Sequence, residues 1–262
     1  PQIETTKRPK RIQKRWLPLA ISAIIAAVVV SATLSINTDS LPSYNEQLAT
    51  ADQERMSYRL LDGSEILLDT NTLVNVSFDS DQRITKLKHG QAHFKVQEDQ
   101  GRPFSVETPL GSIIAFNTAF TVDIEQEQLE VLVTEGDVEI HSMLQDQPVH
   151  LEAGYHYVLS SLGTQKTKLN HETIMNRSAW QQGMLIFTGE TLAIVMQAMG
   201  RYHDIEFGFD APEIAAMKIG GTFAADNLMG LLDSLKAGFN LSYRYEAQEN
   251  RLVLFKHKSP AN

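Results

Sequence analysis

The chain of 262 residues contains no cysteine and only two tryptophans. Without cysteine it has no disulfide bonds and no thiol chemistry, whichever redox compartment it occupies. It also lacks the motifs of common enzyme classes, because no Gly-x-Ser-x-Gly turn, phosphate-binding glycine loop or His-Glu-x-x-His pair is present. We therefore expect no turnover enzyme, no cofactor and no metal site.

Two histidines, His89 and His93, lie four residues apart, a spacing that holds zinc when it occurs on a helix. Gly90 lies between them and interrupts a regular element. We interpret both histidines as solvent-facing strand residues.

Basic residues are scarce beyond residue 36. The whole chain carries 23 basic and 32 acidic residues, a net charge of −9. Residues 37–262 contain 17 of the basic and 31 of the acidic residues, so their net charge is −14. A surface this acidic repels nucleic acid and anionic lipid. We therefore expect no direct nucleic-acid partner.

One long apolar run extends from Trp16 to Ile36 and contains no charged residue in 21 positions. A helix of that length rises about 30 Å, which matches the hydrocarbon layer of a bilayer. Six cations, at positions 7, 8, 10, 11, 14 and 15, precede the run, and the positive-inside rule places them in the cytoplasm. The pattern predicts a cytoplasmic tail over residues 1–15, a transmembrane helix over residues 16–36 and a C-terminal part outside the cytoplasm.

A cleaved secretory signal peptide is the alternative, because Val30-Ser31-Ala32 offers the small residues that signal peptidase prefers. The apolar run is longer than the core of an ordinary signal sequence, which favours the anchor. The chain begins with Pro1 rather than methionine, so we also expect it to be a fragment of a longer protein.

Residues 37–55 are polar, which predicts a periplasmic linker. From residue 56 to residue 163, short runs of Val, Ile, Leu and Phe alternate with polar residues, and turn signals such as Asp62-Gly63 separate them. The pattern predicts a mainly β fold, either an all-β sandwich or a short β-solenoid. The predicted strands cover residues 57–61, 65–69, 73–78, 84–87, 92–96, 104–107, 113–116, 120–124, 129–134, 138–141 and 155–159.

The spacing of apolar residues changes after a polar connector over residues 164–179. Residues 180–262 then predict a small α+β domain in the order β-α-β-β-α-β, with Asp226 capping the second helix and Gly238 ending it. The apolar helix faces consist of Leu192, Val195, Met196 and Met199, and of Leu228, Leu231, Leu232 and Leu235. If both helices cover one sheet face, an edge stays free to accept a partner strand. The candidate edge residues are Ile205, Glu206, Phe207, Gly208, Phe209, Leu252, Val253, Leu254 and Phe255.

Several segments follow one another in order, namely Tyr58–Ser64, Leu87–Phe94, Arg102–Pro109, Phe116–Val122 and Val133–Val138. Together they resemble the periplasmic domain of FecR-type anti-sigma factors. Trp180–Phe187 and Arg201-Tyr202 are similar to the segment that leads into the C-terminal STN-like module of that family. The resemblance covers roughly residues 56–255.

The resemblance implies a single-pass regulator in the inner membrane of Gram-negative bacteria. Its missing cytoplasmic domain would hold an extracytoplasmic-function (ECF) sigma factor. Its periplasmic part would receive a signal from the signalling domain of a TonB-dependent outer-membrane transducer, often one for ferric siderophores. Transcription of iron-transport genes is the expected output of such cell-surface signalling.

Some members of this family cleave themselves at a Gly-Thr bond, and the matching position here is Asn117-Thr118. The resemblance implies that the Thr118 hydroxyl would attack the preceding carbonyl carbon. Asn replaces the glycine, and it reaches a strained backbone conformation less readily. The alternative is that Thr118 is an ordinary strand residue between Phe116 and Phe120.

The residues leave two other functions open. A membrane-anchored protein that binds glycan or peptidoglycan would show an exposed aromatic stripe, for which Tyr155, Tyr157 and Trp180 are the candidates. The second alternative function is that of a module associated with a secretin or a transporter, because STN-like domains also occur in those proteins.

Overall fold

The computed structural model describes residues 43–99, 101–142 and 144–256. The predicted cytoplasmic tail and transmembrane helix, residues 1–36, lie outside these ranges. Within them, no helix is both long enough and apolar enough to cross a bilayer.

The first part of the described chain, residues 44–168, consists of strands and is called the β domain below. Its thirteen strands form one curled sheet, with the order β11-β10-β7-β6-β5-β8-β9-β12-β13 and the pairs β1–β4 and β2–β3 joined to it at β5. The prediction of a mainly β fold is confirmed. The strands are β1 (Tyr44–Ala49), β2 (Met56–Arg59), β3 (Glu65–Leu68), β4 (Leu73–Phe78), β5 (Arg83–Lys95), β6 (Phe104–Thr108), β7 (Gly111–Ala115), β8 (Ala119–Glu125), β9 (Gln128–Glu135), β10 (Asp137–Ser142), β11 (Val149–Glu152), β12 (Tyr155–Ser160) and β13 (Gly163–Lys168).

Strand β5 joins the two halves of the curled sheet. Its first half pairs with β4 and β6, and its second half pairs with β3 and β8. Gly90 lies at the change of partners with a φ of 90°, and a Cβ there would come within 2.7 Å of the Asn71 carbonyl oxygen. The strand bends at this glycine because no other residue fits. The prediction of separate strands over residues 84–87 and 92–96 is therefore wrong.

The bend brings the apolar faces of the two halves together around one core. Four phenylalanine rings cross this core in a chain, with centroid separations of 5.9 Å for Phe78–Phe104, 6.0 Å for Phe104–Phe94 and 5.2 Å for Phe94–Phe120. Phe78 and Phe104 come from strands of one half, and Phe120 comes from the other. Two packed layers therefore arise from one hydrogen-bonded sheet, because strand β5 belongs to both layers.

Three strands lie where the sequence predicts none. Part of the predicted linker over residues 37–55 forms β1, which pairs with β4 over six residues, and part of the predicted connector forms β13, which pairs with β12. β11 pairs with β10 at another edge. All three are edge strands with at most one buried residue each, so apolar periodicity gives little signal and their formation depends on the neighbouring strand.

Two short helices connect the β domain to the rest of the chain. Helix α1 (His171–Ser178) begins at Asn170, whose side-chain oxygen accepts a hydrogen bond from the Thr173 amide at 2.8 Å. A 3₁₀ helix (Ala179–Gln182) follows. The sequence predicts a polar connector here, because α1 buries no residue and so lacks a helical apolar face.

Residues 184–256 form the C-terminal module, which is α+β as predicted. Its sheets are the antiparallel pair β14–β16 and the three-stranded sheet β15-β18-β17, in which β15 and β18 run parallel. Both predicted helical faces pack in a second hydrophobic core. The elements are β14 (Met184–Thr191), α2 (Leu192–Gly200), β15 (Glu206–Phe209), α3 (Pro212–Ala215), β16 (Lys218–Ala224), α4 (Leu228–Phe239), β17 (Leu241–Glu246) and β18 (Arg251–Lys256).

The ends of helix α4 differ from the prediction by one or two residues. The N-cap is Asn227 rather than Asp226, and its Oδ1 accepts a hydrogen bond from the Gly230 amide at 3.0 Å. The helix continues past Gly238 and ends at Asn240, which has a left-handed φ of 54°. Asn is one of the few residues besides glycine that adopts this conformation readily.

Candidate interaction site

Strand β15, one of the two predicted partner-binding segments, lies at an edge of the three-stranded sheet. The amides of Glu206 and Asp210 donate to carbonyl oxygens beside and within β18 at 3.0 Å. Because backbone direction alternates along a strand, the amides of Phe207 and Phe209 point away from β18. Ile205 directly precedes the strand, and the buried Gly208 lies at its centre. Among the described residues no strand pairs with the outer side of β15.

Strand β18, the second predicted segment, is not an edge, and this prediction is wrong. Leu252, Val253 and Leu254 pair with β15 on one side and with β17 on the other, and all three are buried. Phe255 pairs with β17 and packs under the guanidinium of Arg244. A continuous apolar run of this kind is typical of a central strand, so the sequence already contained the signal against an edge.

Strand β17 is the second free edge, and the sequence analysis missed it. It pairs with β18 over six residues, and nothing in the described ranges pairs with its other side. Tyr243 and Tyr245 are 40% and 56% exposed. They lie opposite Leu254 and Leu252, so the apolar face of the sheet continues to this edge.

The Asn117–Thr118 bond lies in the turn between β7 and β8. Asn117 has a left-handed φ of 46°, which few residues other than glycine adopt. Thr118 is 3% exposed, and its hydroxyl donates a hydrogen bond to the carbonyl oxygen of Glu135. A Cβ at Gly136 would lie 2.9 Å from the carbonyl oxygen of Asn117, so the neighbouring turn presses closely on this bond.

The C-terminal module contacts the β domain through Arg201, which follows helix α2. Its two terminal nitrogens donate to the two carboxylate oxygens of Asp123 on β8, at 2.8 and 3.0 Å. Both side chains are mostly buried. Burial alone would lower the pKa of the Arg201 guanidinium, but the carboxylate of Asp123 raises that pKa above its usual value. Burial raises the pKa of the Asp123 carboxyl, although the charge and the hydrogen bonds of Arg201 oppose that shift.

The next residue, Tyr202, makes a second contact of the same kind. Its hydroxyl donates to the carboxylate of Asp69 at 2.8 Å, and both residues are buried. Burial raises the pKa of Asp69, although the hydrogen bond from Tyr202 and the charge of Arg201 oppose that shift. The second carboxylate oxygen of Asp69 has no hydrogen-bond partner among the described residues.

The connecting helices add two further polar contacts with the β domain. Arg55 donates to the carbonyl oxygen of Trp180 at 2.6 Å. Glu130 on β9 accepts from His156 at 2.8 Å and lies 3.4 Å from Arg177. The hydrogen bond from His156 lowers the pKa of Glu130, so that carboxylate stays ionised.

A cavity of about 270 Å³ lies beside these contacts. It is lined by Asp123 and Glu130 of the β domain, by Arg201 and Tyr202 of the C-terminal module, and by Trp180. Trp180 is buried and its indole nitrogen has no hydrogen-bond partner in the described part of the chain. Packing between the two parts is therefore incomplete at this point.

The aromatic stripe that a glycan-binding protein would need is not formed by the residues expected to form it. Tyr157 and Trp180 are buried. Tyr155 packs against the core of the β domain and lies under the ammonium groups of Lys166 and Lys168.

No group of three or more His, Asp or Glu side chains within the described ranges could hold a metal ion. His93 is not solvent-facing as predicted, because it is mostly buried and its Nδ1 lies 3.1 Å from the Thr121 hydroxyl. His89 is exposed.

Two crystal structures of a candidate anti-sigma factor from Parabacteroides distasonis ATCC 8503, at 1.65 Å and 2.50 Å resolution, resemble this chain. The first has a TM-score of 0.67 and 25% sequence identity, and the match covers 81% of this chain and 100% of that one. The second has a TM-score of 0.67 and 24% identity over 82% of this chain and 100% of that one, which shows the fold alone. A comparison with curated proteins found no match.

Two family models match the chain, and they follow one another in sequence. The FecR protein model matches residues 46–139, and the FecR C-terminal model matches residues 184–254. The first matched region lies in the β domain, and the second covers most of the C-terminal module. The chain belongs to the FecR family of anti-sigma factors, which regulate sigma-factor signalling.

Proposed function

We propose that this chain is the sensing part of a single-pass inner-membrane regulator of an ECF sigma factor. The observation that carries the proposal is the order of three segments in one chain. An uncharged run over residues 16–36 follows six cations, and the FecR and FecR C-terminal regions come after it. The N-terminus would lie in the cytoplasm, where a preceding domain binds the sigma factor, and residues 43–256 would lie in the periplasm.

The partner that we propose in the periplasm is the signalling domain of a TonB-dependent outer-membrane transducer, with ferric siderophore uptake as the response. A partner strand would add to a free edge of the three-stranded sheet by main-chain hydrogen bonds. Of the two edges, β17 suits this role better. It has six residues against four in β15, and Tyr243 and Tyr245 offer an apolar surface that a docked strand would cover.

The full-length chain, used as bait for outer-membrane proteins, tests this proposal. We expect it to recover a TonB-dependent transducer, and we expect Tyr243→Lys/Tyr245→Lys to lose it, because edge lysines oppose strand addition. Leu162→Lys, at an exposed apolar position of the β domain, is the matched control and should retain binding. Recovery of glycans alone would instead favour a glycan-binding protein, and equal binding by the edge variant would exclude β17 as the docking edge.

We also propose that the Asn117–Thr118 bond can cleave itself once. The support is the tight turn around this bond, where Asn117 has a left-handed φ of 46° and a Cβ at Gly136 would lie 2.9 Å from the Asn117 carbonyl oxygen. The Thr118 oxygen would attack the Asn117 carbonyl carbon, the C–N bond would break as the proton of the hydroxyl passes to the leaving nitrogen, and water would hydrolyse the resulting ester to a carboxylic acid and the free hydroxyl. The Glu135 carbonyl can orient the Thr118 hydroxyl but cannot take its proton.

Cleavage at this bond predicts two fragments, ending at residue 117 and beginning at residue 118, in the purified wild-type protein. Thr118→Ala should remain a single chain of 29.3 kDa on mass spectrometry. Thr134→Ala is the control, because Thr134 also donates its hydroxyl hydrogen bond to a backbone carbonyl, that of Ala119. It should cleave like the wild type. An intact wild-type chain, or two fragments from Thr118→Ala, would contradict the proposal.

A further inference from the structure

The two parts of the described chain have separate hydrophobic cores. The core of the β domain is built from residues between Leu48 and Leu159, and that of the C-terminal module from residues between Phe187 and Leu254. The two sets share no residue. Each part can therefore keep its own core if the contact between them is broken.

The contact between the parts is polar and centres on two adjacent residues. Arg201 binds both carboxylate oxygens of Asp123, and Tyr202 donates to Asp69 at 2.8 Å. Asp123 lies on β8, and Asp69 directly follows β3. The residues that follow the C-terminus of helix α2 therefore contact two positions of the β domain. We call these four residues the Arg201–Tyr202 lock.

The chemistry of the lock makes its closed state specific but reversible. A bidentate arginine–carboxylate pair holds one geometry, and loss of either partner leaves the other charge buried without compensation. Yet a cavity of about 270 Å³ lies beside the lock and is lined by Trp180, whose indole nitrogen has no hydrogen-bond partner among the described residues. Polar, imperfectly packed contacts between parts of a chain commonly permit relative motion.

We propose that the Arg201–Tyr202 lock holds the C-terminal module against the β domain in the resting protein, and that partner binding to the C-terminal module releases it. This inference rests on the proposed signalling function. A partner at the β17 edge would act on the module that carries Arg201, while Asp69 and Asp123 stay in the β domain, which follows the predicted anchor in sequence. Opening of the lock would then turn docking into a change in the domain that the chain joins to that anchor.

Distance measurements on the full-length chain test the structural half of the inference. Because the chain has no cysteine, Leu162→Cys in the β domain and Met229→Cys in the C-terminal module would carry the only two spin labels. Both positions are exposed. We expect a narrow distance distribution in the wild type and a broad, shifted one in Arg201→Asp and in Asp123→Arg, which place like charges in the lock. The double variant Arg201→Asp/Asp123→Arg should restore the narrow distribution.

Lys86→Glu is the matched control, because Lys86 pairs with Glu107 at 2.8 Å within the β domain, where both side chains are exposed. It should leave the label distance unchanged. If the charge reversals prevent folding, Tyr202→Phe and Arg201→Lys provide milder variants that keep the volume or the charge of the lock. If all lock variants showed the label-to-label distance distribution of the wild type, the inference would be overturned. A broad, shifted distribution in Lys86→Glu would overturn it as well.

A sigma-dependent reporter in cells that carry the full-length regulator tests the signalling half. We expect Arg201→Asp to raise output without inducer toward the induced level, and we expect the double reversal to return it to the resting level. If the wild type does not respond to the transducer, the proposed function fails. If the wild type responds but Arg201→Asp separates the parts without any change in output, the proposed function stands and the lock is not a signalling element.

Discussion

At the scale of single residues, the fold depends on a few polar side chains placed where apolar ones are expected. Arg83 is completely buried and donates to Asp62 at 2.7 Å and to the carbonyl oxygens of Gln97 and Arg102. It therefore ties together two connections of the β domain, β2–β3 and β5–β6. A buried arginine of this kind is tolerated because each of its three side-chain nitrogens has a hydrogen-bond partner.

His93 provides a prediction for the effect of pH on stability. Burial, assisted by the charge of Lys95, lowers the pKa of His93 from 6.5 to about 4. Between these values the unfolded chain binds a proton that the folded chain does not, so the free energy of unfolding should decrease as pH falls through this range. The full effect is roughly 3 kcal/mol, and it is absent above pH 6.5.

Chemical denaturation of the wild type and His93→Gln between pH 4 and pH 7.5 would measure this effect. We expect the wild type to lose more stability than the variant as pH falls. His150→Gln, at an exposed position, serves as the control and should follow the wild type. Parallel curves for the wild type and His93→Gln would show that His93 does not carry the dependence.

At the scale of elements, the bend of β5 decides the shape of the β domain. We expect Gly90→Ala to lower the free energy of unfolding by at least about 3 kcal/mol. The alanine would have to adopt a φ of 90°, and its Cβ would collide with the backbone of Asn71 and Thr72. Equilibrium denaturation would measure the loss.

Gly154→Ala separates the cost of the positive φ from the cost of the Cβ collision. Gly154 has a similar φ of 88°, but a Cβ there meets no atom within 4 Å. It should therefore cost only the backbone strain, about 1–2 kcal/mol. Equal losses at both glycines would mean that the close contact at Gly90 does not matter.

The start of helix α4 offers a second prediction for an element. Asn227→Ala removes the side-chain acceptor for the Gly230 amide and should lower the free energy of unfolding by about 1 kcal/mol. Asp226→Ala, one residue earlier, should leave stability within about 0.5 kcal/mol of the wild type, because Asp226 is exposed and does not cap the helix. Thermal or chemical denaturation would measure the stability of both variants. A larger loss of stability in Asp226→Ala than in Asn227→Ala would mean that the cap is assigned to the wrong residue.

At the scale of the whole molecule, we expect residues 43–256 to lie outside the cytoplasm and residues 16–36 to hold them to the inner membrane. Protease added to spheroplasts should therefore degrade this part of the full-length protein, while a cytoplasmic marker survives. Ile25→Arg/Val28→Arg should abolish membrane attachment, because charges are costly within a bilayer.

Protection of the chain in spheroplasts would contradict this topology. Loss of the first 32 residues from the mature protein, measured by mass spectrometry, would instead support the signal peptide.

Much of the fold could be predicted from the sequence because local patterns report burial. Leu192, Val195, Met196 and Met199 recur at helical spacing, and the structure buries all four in one core. The predicted strands and both long helices of the C-terminal module follow from similar patterns, as does the β character of residues 56–163, whereas the short helix α3 between β15 and β16 was not predicted. These features depend on neighbours three or four residues apart, or on alternation within one strand.

The strand pairing at the sheet edges and the contacts between the two parts were decided by the tertiary structure. The apolar run from Leu252 to Leu254 is typical of a central strand, but the strand that covers it is distant in sequence, because β15, more than forty residues earlier, pairs in parallel with β18. Arg201 meets Asp123 across a separation of 78 residues. No local pattern encodes such contacts, because they join residues far apart in the sequence and depend on which surfaces remain after both cores are filled.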